Sequence, residues 1–581
     1  MNRTRLAPRR AVLGLLAVLG VLGVVGARTS AAPADDWDVR TRALEAYRAQ
    51  DWPLAIERYA RSVESNPTDG ALWELYGMAL LSAGRFEESI PAFERGIAAG
   101  VRVPAATYNI ACANARAGHV DAALDALERA YEVGFADDAL VRTDPDLDSL
   151  RGTRRFAAIA GLPGDEALPR DARWLADLDY LDWRLRRLHF DLFGVLPEAE
   201  YVSRLEALRA SVPARDDVQL RWQVQRLLAA IGDGHTRVVP DFFRERHGGE
   251  KVAYDVFPAD FWWYEDGLRL RRAPRDQAWA AGARVRSIGG RPVTEALDAA
   301  LELVSRDNEF GARWMAMTVL RDPQAMRVLG LTDARGALPL ELETKGGTRS
   351  LVLRAVSHDD PTPLADASDG SSAPLPRYRA HEDEGYRFDL LDDGIAYCLF
   401  NAVRDGPAES LAEFAERVFS EAEASDARCL VIDLRNNHGG NGHLARPLLY
   451  RAIASRFNRA GALWVLIGRE TFSAAQAFAA QLEDHVTVRF AGEPSGSRPN
   501  FVGESTIFRL PYSGLLVSCS NRWHQHTSSL DHRLWISPHV YAPVTAEDYA
   551  ARRDPALDAV RAIVAGMDPA PGPGGAGEHG L

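Results

Sequence analysis

The sequence predicts a multidomain protein with an all-α repeat segment, a β-rich domain and an α/β core. Its 581 residues are enough for three or four separately packed units. Small and large residues recur every 34 positions between residues 38 and 165. Alternating runs with glycine turns fill 252–357, and apolar strand-like runs alternate with amphipathic helical runs over 381–565. These three patterns together predict the fold class.

The composition excludes some classes of function. The chain is 46% hydrophobic and 26% charged, which is typical of a globular protein, and after the first thirty residues no apolar run is long enough to span a bilayer. The net charge of −13 repels a phosphate backbone, so we expect no nucleic-acid partner. The four cysteines lie far apart in the sequence, and we expect them to be buried.

The two ends of the chain have distinct compositions. Residues 1–32 begin with arginines, continue with the apolar run AVLGLLAVLGVLGVVGA and end with small residues, which is the order of an export signal. We expect the protein to be periplasmic, secreted, or tethered outside the cytoplasm by a retained N-terminal segment. Residues 566–581 are rich in Gly and Pro, which predicts a disordered tail.

The repeat segment, residues 38–165, shows the spacing of paired helices. Gly84 and Gly118 are one period apart, as are the large residues Tyr59, Phe93 and Leu127. Small side chains are needed where two helices cross, and large ones fill the groove between them. This register resembles tetratricopeptide repeats, which implies a surface for a protein partner and no chemistry.

Three segments separate the repeats from the α/β core. Residues 172–246 predict further helices and end near GDGHT, which places His235 on a glycine-bounded turn. Residues 252–357 contain ARVRSIGGRPVTEAL, a strand, a turn and a short helix that resemble the second half of a PDZ domain. Residues 358–380 are rich in Pro, Ser and Asp and predict a linker.

Functional loops are expected where the strands of the parallel layer end. VIDLRNNHGGNG ends a strand with Gly439 and Gly440, which let backbone amides approach a ligand closely. LIGRETFSAAQ places Ser473 at a strand-to-helix turn, where the amide of Ala474 points out of the helix N-terminus. Considered alone, Ser473 is equally well explained as a helix N-cap.

The ordered set DLRNNHGG, GRETFSAAQ and GEPSGSRPN resembles the catalytic core of the C-terminal processing and tricorn-type serine peptidases. The resemblance covers residues 172–565. It implies a crotonase-like (ClpP/crotonase-type) core, a peptide or unfolded-protein substrate, and no cofactor. It also implies that Ser473 is the nucleophile and that Ala474, with Gly439 or Gly440, forms the oxyanion hole.

The general base divides this family into two branches. One branch uses a lysine downstream of the serine, but this chain has Arg498 there, and a guanidinium cannot act as a base. The other branch uses a histidine ahead of the PDZ-like domain, and its motif matches His235. A histidine favoured by a helix C-terminus is the simpler interpretation of that residue alone. As a base of unperturbed pKa, His235 predicts activity that rises with pH near ~6.5.

A histidine base needs an acceptor that holds its tautomer. By the resemblance, Asp531 before the Pro538–His539 turn is the first choice, and Glu504 is the alternative. Gly234 stands where tricorn-type enzymes have a serine.

Two other functions are considered. The family has a lysine where this chain has Arg498 and a Pro-Asp turn where it has Pro538–His539. These two changes fit an inactive binding scaffold built from the repeats and the PDZ-like domain. His524 and His526 form an H-x-H pair that suggests a metal, but no HExxH motif or acidic cluster accompanies them, so we expect no metal site.

Overall fold

The computed structural model describes residues 33–164, 167–241, 244–245 and 250–566. The predicted export signal at 1–32 lies outside these residues, as does the predicted tail apart from its first residue. The chain divides into two compact units, Met1–His119 and Val120–Leu581. Within the described part, no helix is long and apolar enough to cross a membrane.

The first unit is helical throughout its described part. Its helices are α1 (Pro33–Arg48), α2 (Trp52–Ser65), α3 (Gly70–Ser82), α4 (Phe86–Ala98) and α5 (Val103–Arg116). Gly77 faces Phe93 so closely that a Cβ there would lie 2.8 Å from the ring. Gly84 and Gly118 have φ of 75° and 83°, which glycine adopts without strain, so the recurring glycines close the helices.

The second unit starts with more helices. They are α6 (Val120–Glu132), α7 (Asp138–Thr143), α8 (Arg154–Ile159), α9 (Arg170–Leu188), α10 (Glu198–Ser211) and α11 (Asp217–Ala229). The predicted repeat segment 38–165 therefore crosses the division between the units. Asp138 forms a buried 3.0 Å ion pair with Arg184 of α9, so residues 120–165 belong with the helices that follow them. Strand β1 (Arg237–Val238) follows α11.

The next region is rich in β-structure, as predicted. Its strands are β2 (Asp255–Val256), β3 (Asp260–Tyr264), β4 (Gly267–Pro274), β5 (Arg284–Ile288), β6 (Arg291–Pro292), β7 (Leu338–Thr344), β8 (Gly347–Leu353), β9 (Val356–Ser357) and β10 (Leu364–Asp366). Its helices are α12 (Val293–Leu301), α13 (Glu309–Arg321), α14 (Pro323–Val328) and α15 (Arg377–Ala380). The main sheet has the order β10-β4-β5-β7-β8, with β3 on β4 and β6 on β5.

The segment 358–380, predicted to be a linker, contains short regular elements. Within it, β10 pairs antiparallel with β4, and Arg379 of α15 bonds to Asp366 at 3.2 Å. A strand of three residues and a helix of four carry too little periodicity to be recognised beneath a polar composition.

The core is a mixed α/β layer. Its strands are β11 (Tyr386–Leu391), β12 (Ile395–Phe400), β13 (Cys429–Asp433), β14 (Leu463–Ile467), β15 (Val488–Gly492), β16 (Phe501–Arg509), β17 (Leu516–His524) and β18 (Val540–Tyr541). Its helices are α16 (Leu411–Ala424), α17 (Arg446–Ala454), α18 (Ala474–His485), α19 (Ala546–Ala551) and α20 (Pro555–Ala565).

Six of these strands form the central sheet, in the order β11-β12-β13-β14-β15-β18. β12 to β15 and β18 run parallel, and β11 is antiparallel to β12. Every residue of β12, β13 and β14 is buried, which explains their continuous apolar runs. The hairpin β16–β17 leaves this sheet and pairs with β1, which brings the turn after α11 to the core.

Candidate active site

Ser473 lies between β14 and the first residue of α18. Its φ of 53° and ψ of −122° are strained for a residue with a side chain. In the described structure its hydroxyl makes no cap bond to the helix, so the N-cap interpretation does not hold for this serine. The turn instead directs Oγ toward His235.

His235 lies on the turn between α11 and β1. Its Nε2 is 3.0 Å from Ser473 Oγ, although 238 residues separate the two in sequence. The imidazole lies between the rings of Phe472 and Phe501, with centroids 4.7 and 5.8 Å away. Burial lowers the pKa of His235 to about 4, against the opposing charge of Asp233. The ring is therefore neutral at neutral pH, and Nε2 can accept a proton.

The turn that carries His235 is held by Asp233, a residue outside the predicted site. Oδ1 of Asp233 accepts the amides of His235 and Thr236 at 2.8 and 2.7 Å and the Ser520 hydroxyl at 2.6 Å. Its Oδ2 lies 2.9 Å from Nε2 of the buried His189. Burial alone would raise the pKa of Asp233, but the bonds from His189 and Ser520 lower it to about 2. The position of Asp233 in the GDGHT motif could have indicated this role from the sequence, whereas no sequence motif marks His189.

One glycine of the predicted oxyanion-hole loop, Gly439, lies against the serine turn. Gly439 has φ of 101°, and a Cβ on it would lie 2.8 Å from both the Ala474 nitrogen and Ser473 Cβ. The amide of Gly439 donates to Asn437 Oδ1 at 2.9 Å. Because that amide is engaged, Gly440 remains as the candidate donor of the loop; a Cβ on Gly440 would lie 2.2 Å from the Val403 carbonyl oxygen. Ala474 opens α18, so its amide has no acceptor within the helix.

Neither predicted acid is placed at His235. The Asp531 carboxylate accepts bonds from Arg533 at 2.8 to 3.2 Å and from Thr527 at 2.9 Å. The Arg533 bond is the main reason that the pKa of Asp531 falls to about 2. Glu504 is exposed and lies 3.9 Å from His524.

The His235 ring therefore has neither predicted carboxylate as the acceptor that would hold its tautomer. Nδ1 of His235 is buried and has no hydrogen-bond partner among the residues that the structure describes. Gly234 has no hydroxyl that would relay a bond, and His539, where the Pro-Asp turn is altered, bonds to the Phe490 backbone. The prediction of Asp531 as the orienting acid is therefore corrected.

The remaining predicted residues have structural partners. Arg498 donates from Nε to the carbonyl of Asp307 at 3.1 Å. The rings of His524 and His526 stack 5.8 Å apart. Over the described ranges, no group of three or more His, Cys, Asp or Glu residues could hold a metal ion.

Ser473 and His235 open into one large cavity. Its volume is about 1210 Å³, and its lining near the serine includes Phe472, Trp314 and His438. Trp314 stacks on His438 at 4.6 Å, beside the glycine loop. A cavity larger than about 1,000 Å³ exceeds the usual small-molecule site and has room for a peptide segment. Together, the half-buried histidine, the strained serine and the two loops of backbone amides define a site of the serine-hydrolase type.

Comparisons with known proteins cover both parts of the chain. A tetratricopeptide repeat family model matches residues 40–100 and 77–139, which confirms the predicted repeats. A curated chloroplastic protein of Arabidopsis thaliana is 34% identical over 83 residues, 14% of this chain. This chain spans 25% of the length of that curated relative.

Solved structures similar to this chain include mature CPAF complexed with lactacystin, at 13% identity and a TM-score of 0.49 over 68% of this chain and 98% of that chain. Another is the photosystem II D1 C-terminal processing protease, at 16% identity and a TM-score of 0.33 over 68% and 99%. The second carries the name of one of the two peptidase groups that the sequence motifs resemble.

Proposed function

We propose that this chain is an exported serine peptidase that cleaves peptide bonds through an acyl-enzyme at Ser473. The observation that carries this proposal is the 3.0 Å distance between Ser473 Oγ and His235 Nε2 inside a peptide-sized cavity. A nucleophile and a base within hydrogen-bond distance are the first geometric requirement of such chemistry.

In the reaction, neutral His235 takes the proton from Ser473 as Oγ bonds to the peptide carbonyl carbon. The oxyanion that forms is stabilised by the amides of Ala474 and Gly440. His235 then gives its proton to the leaving amine, and the peptide C–N bond breaks. Water, deprotonated by His235, hydrolyses the acyl-enzyme and releases Ser473.

Asp233 replaces Asp531 in this mechanism. Its charge favours the protonated form of His235, which is the form present after the proton transfer. It bonds to the amide of His235 at 2.8 Å, so it also fixes the turn that holds the ring. Asp233 thus acts through electrostatics and turn geometry.

We also propose that the β-rich region is a PDZ-like domain and that the core is crotonase-like. The Gly289–Gly290 turn after β5, with φ of 61° and 77°, supports a PDZ-like domain in the β-rich region. The amide-bearing loops after β13 and β14 support a crotonase-like core. The tetratricopeptide repeats bind a protein partner in this scheme, and the substrate is a peptide or an unfolded protein.

A fluorophosphonate probe tests the proposal. We expect it to label Ser473 in the presence of a chelator, and Ser473→Ala to abolish the labelling. Ser410→Ala is the matched control, because Ser410 also precedes a helix but caps it, accepting the Glu413 amide at 3.3 Å. Absence of labelling in the wild type would favour the inactive binding scaffold, which the unpartnered Nδ1 of His235 also fits.

A further inference from the structure

Residues 305–311, here called the bridging segment, connect the turn of His235 to a loop of the core. On the first side, Ser305 Oγ donates to the Thr236 carbonyl at 2.6 Å, and Asp307 Oδ1 accepts the Gly234 amide at 2.7 Å. Gly234 directly precedes His235. The bridging segment therefore holds the backbone on both sides of the histidine.

On the other side, the bridging segment binds the loop that follows β15. The Ser497 hydroxyl donates to Asp307 Oδ2, and Asn308 Nδ2 donates to the Ser495 carbonyl at 3.0 Å. A Cβ on Gly311 would lie 2.3 Å from the Gly496 carbonyl oxygen, so the two backbones are in close contact. Two side-chain hydrogen bonds and this close approach thus join the loop to the bridging segment.

Asp307 is the residue at which these contacts meet. It is buried, and one oxygen faces the His235 turn while the other faces the core loop. Its own carbonyl accepts the Arg498 guanidinium at 3.1 Å. Arg498, which cannot replace the lysine base, thereby holds the backbone of the residue whose carboxylate joins the two sides.

Building on the proposed function, we infer that Asp307 is a positioning residue that sets the distance between His235 and Ser473. Its two side-chain bonds fix Gly234 relative to the core. Displacing a catalytic group by about 1 Å costs on the order of 10²-fold in rate, so loss of both bonds should lower kcat far more than it raises KM.

The test compares two alanine variants in the full-length protein. Asp307→Ala removes the bonds to Gly234 and Ser497. Asp177→Ala is the matched control, because buried Asp177 accepts two amides, from Tyr512 and Ser513 at 2.8 and 2.7 Å, away from the site. On a short fluorogenic peptide, we expect Asp307→Ala to lower kcat by about 10- to 100-fold with KM within about 3-fold. Asp177→Ala should lower Tm but leave kcat within about 2-fold.

The conservative variant separates positioning from charge. In Asp307→Asn the amide oxygen can accept from Gly234 and the NH₂ group can donate to Ser497 Oγ, so kcat should recover to within about 3-fold of wild type. If Asp307→Ala does not fold, Ser497→Ala removes one bond alone and should lower kcat by a smaller factor. The inference is overturned if Asp307→Ala and Asp177→Ala have equal kcat. It is also overturned if Asp307→Asn is as slow as Asp307→Ala.

Hydrogen exchange of residues 231–238 gives a readout that needs no turnover. We expect Asp307→Ala to speed exchange in this segment, and Asp177→Ala to leave it unchanged. If the wild type neither labels nor turns over, the proposed function fails while the exchange result still decides whether Asp307 holds the turn. Unchanged exchange in Asp307→Ala contradicts the inference.

Discussion

Gly439 lies directly against Ser473: a Cβ on this glycine would be 2.8 Å from Ser473 Cβ. Gly439→Ala should therefore displace the nucleophile or the Ala474 amide, and its φ of 101° adds backbone strain. We expect a loss of roughly 10²-fold or more in kcat/KM, measured on a peptide substrate. Gly442→Ala is the control from the same loop, because its Cβ would meet Ala474 at an ordinary 3.7 Å. Equal activity in the two variants would contradict the close approach.

Ser473 and His235 should act as one unit. We expect Ser473→Ala and His235→Ala each to lower kcat by roughly 10³-fold or more, and the double variant to be scarcely worse than either single one. His485→Ala, at the exposed end of α18, is the control and should leave kcat unchanged. Additive losses in the double variant would show that the two residues do not share a step.

The acid limb of the pH profile should lie below the ~6.5 expected from an unperturbed histidine. Burial lowers the pKa of His235 to about 4, and only the neutral ring is a base, so kcat/KM should rise through that lower pH. The charge of Asp233 raises this pKa and that of Arg237 lowers it. Asp233→Asn should therefore shift the limb to lower pH and Arg237→Gln to higher pH. Shifts in the same direction would rule out His235 as the titrating group.

The site residues that could be predicted from the sequence lie in contiguous motifs. Ser473 and Ala474 share a strand-to-helix turn, and Gly439 and Gly440 share a tight loop, so local spacing reports their geometry. His235 required the resemblance, because a histidine after a helix is common. Its distance to Ser473 could be obtained only from the β1–β17 pairing, which joins segments far apart in the chain.

Asp531 shows why the orienting acid could not be predicted. Its position before Pro538 matches the family pattern, but Arg533 draws its carboxylate away, and Arg533 is itself held by Glu483 of α18 at 2.6 Å. Asp233 accepts the amides of the His235 turn, and the hydroxyl of Ser520 in β17 donates to the same carboxylate. Although Asp233 stands in the GDGHT motif, its bond to Ser520 joins residues 287 apart, and the bond of Arg533 to Glu483 joins residues 50 apart, so the sequence alone displays neither contact.

Asp307 should make stability depend on pH in the opposite sense to Asp531. Burial raises the pKa of Asp307 from 3.8 to about 6, with the charge of Asp233 adding to burial, and Ser497, Gly234 and Arg498 opposing it. The folded state thus binds the proton of the Asp307 carboxyl more tightly than the unfolded state does. The resulting contribution to the free energy of unfolding is full below pH 3.8 and is lost as the pH rises through about 6.

Relative to wild type, Asp307→Asn should therefore gain in Tm as the pH rises from about 4 to 7, measured by calorimetry. Asp531→Asn is the control of opposite sign, because the pKa of Asp531 is lowered to about 2. Its deficit in Tm should be constant over the same range and shrink only at lower pH. A constant difference for Asp307→Asn would show that its pKa is not raised.

Truncated chains can test where the second unit starts: at residue 120, as in the structure, or after the predicted end of the repeats at residue 165. Every candidate catalytic residue lies in the second unit, so a chain starting at 120 should keep turnover of a short peptide. A chain starting at 170 loses both Asp138, the 3.0 Å carboxylate partner of Arg184, and Tyr131, whose ring lies 4.6 Å from the same guanidinium. Removing these contacts exposes Arg184 and the face of α9 that packs on α6, so this shorter chain should unfold at a lower temperature.

A pair of substitutions in the full-length chain isolates that cause. Asp138→Asn should lower Tm, because it removes the charge opposite Arg184, whose guanidinium also lies 4.6 Å from the Tyr131 ring. Adding Arg184→Met should recover much of the loss, since an apolar side chain needs no partner in a buried site. If the chain starting at 170 is as stable and active as the one starting at 120, residues 120–165 are dispensable to the second unit. The predicted boundary would then be the functional one.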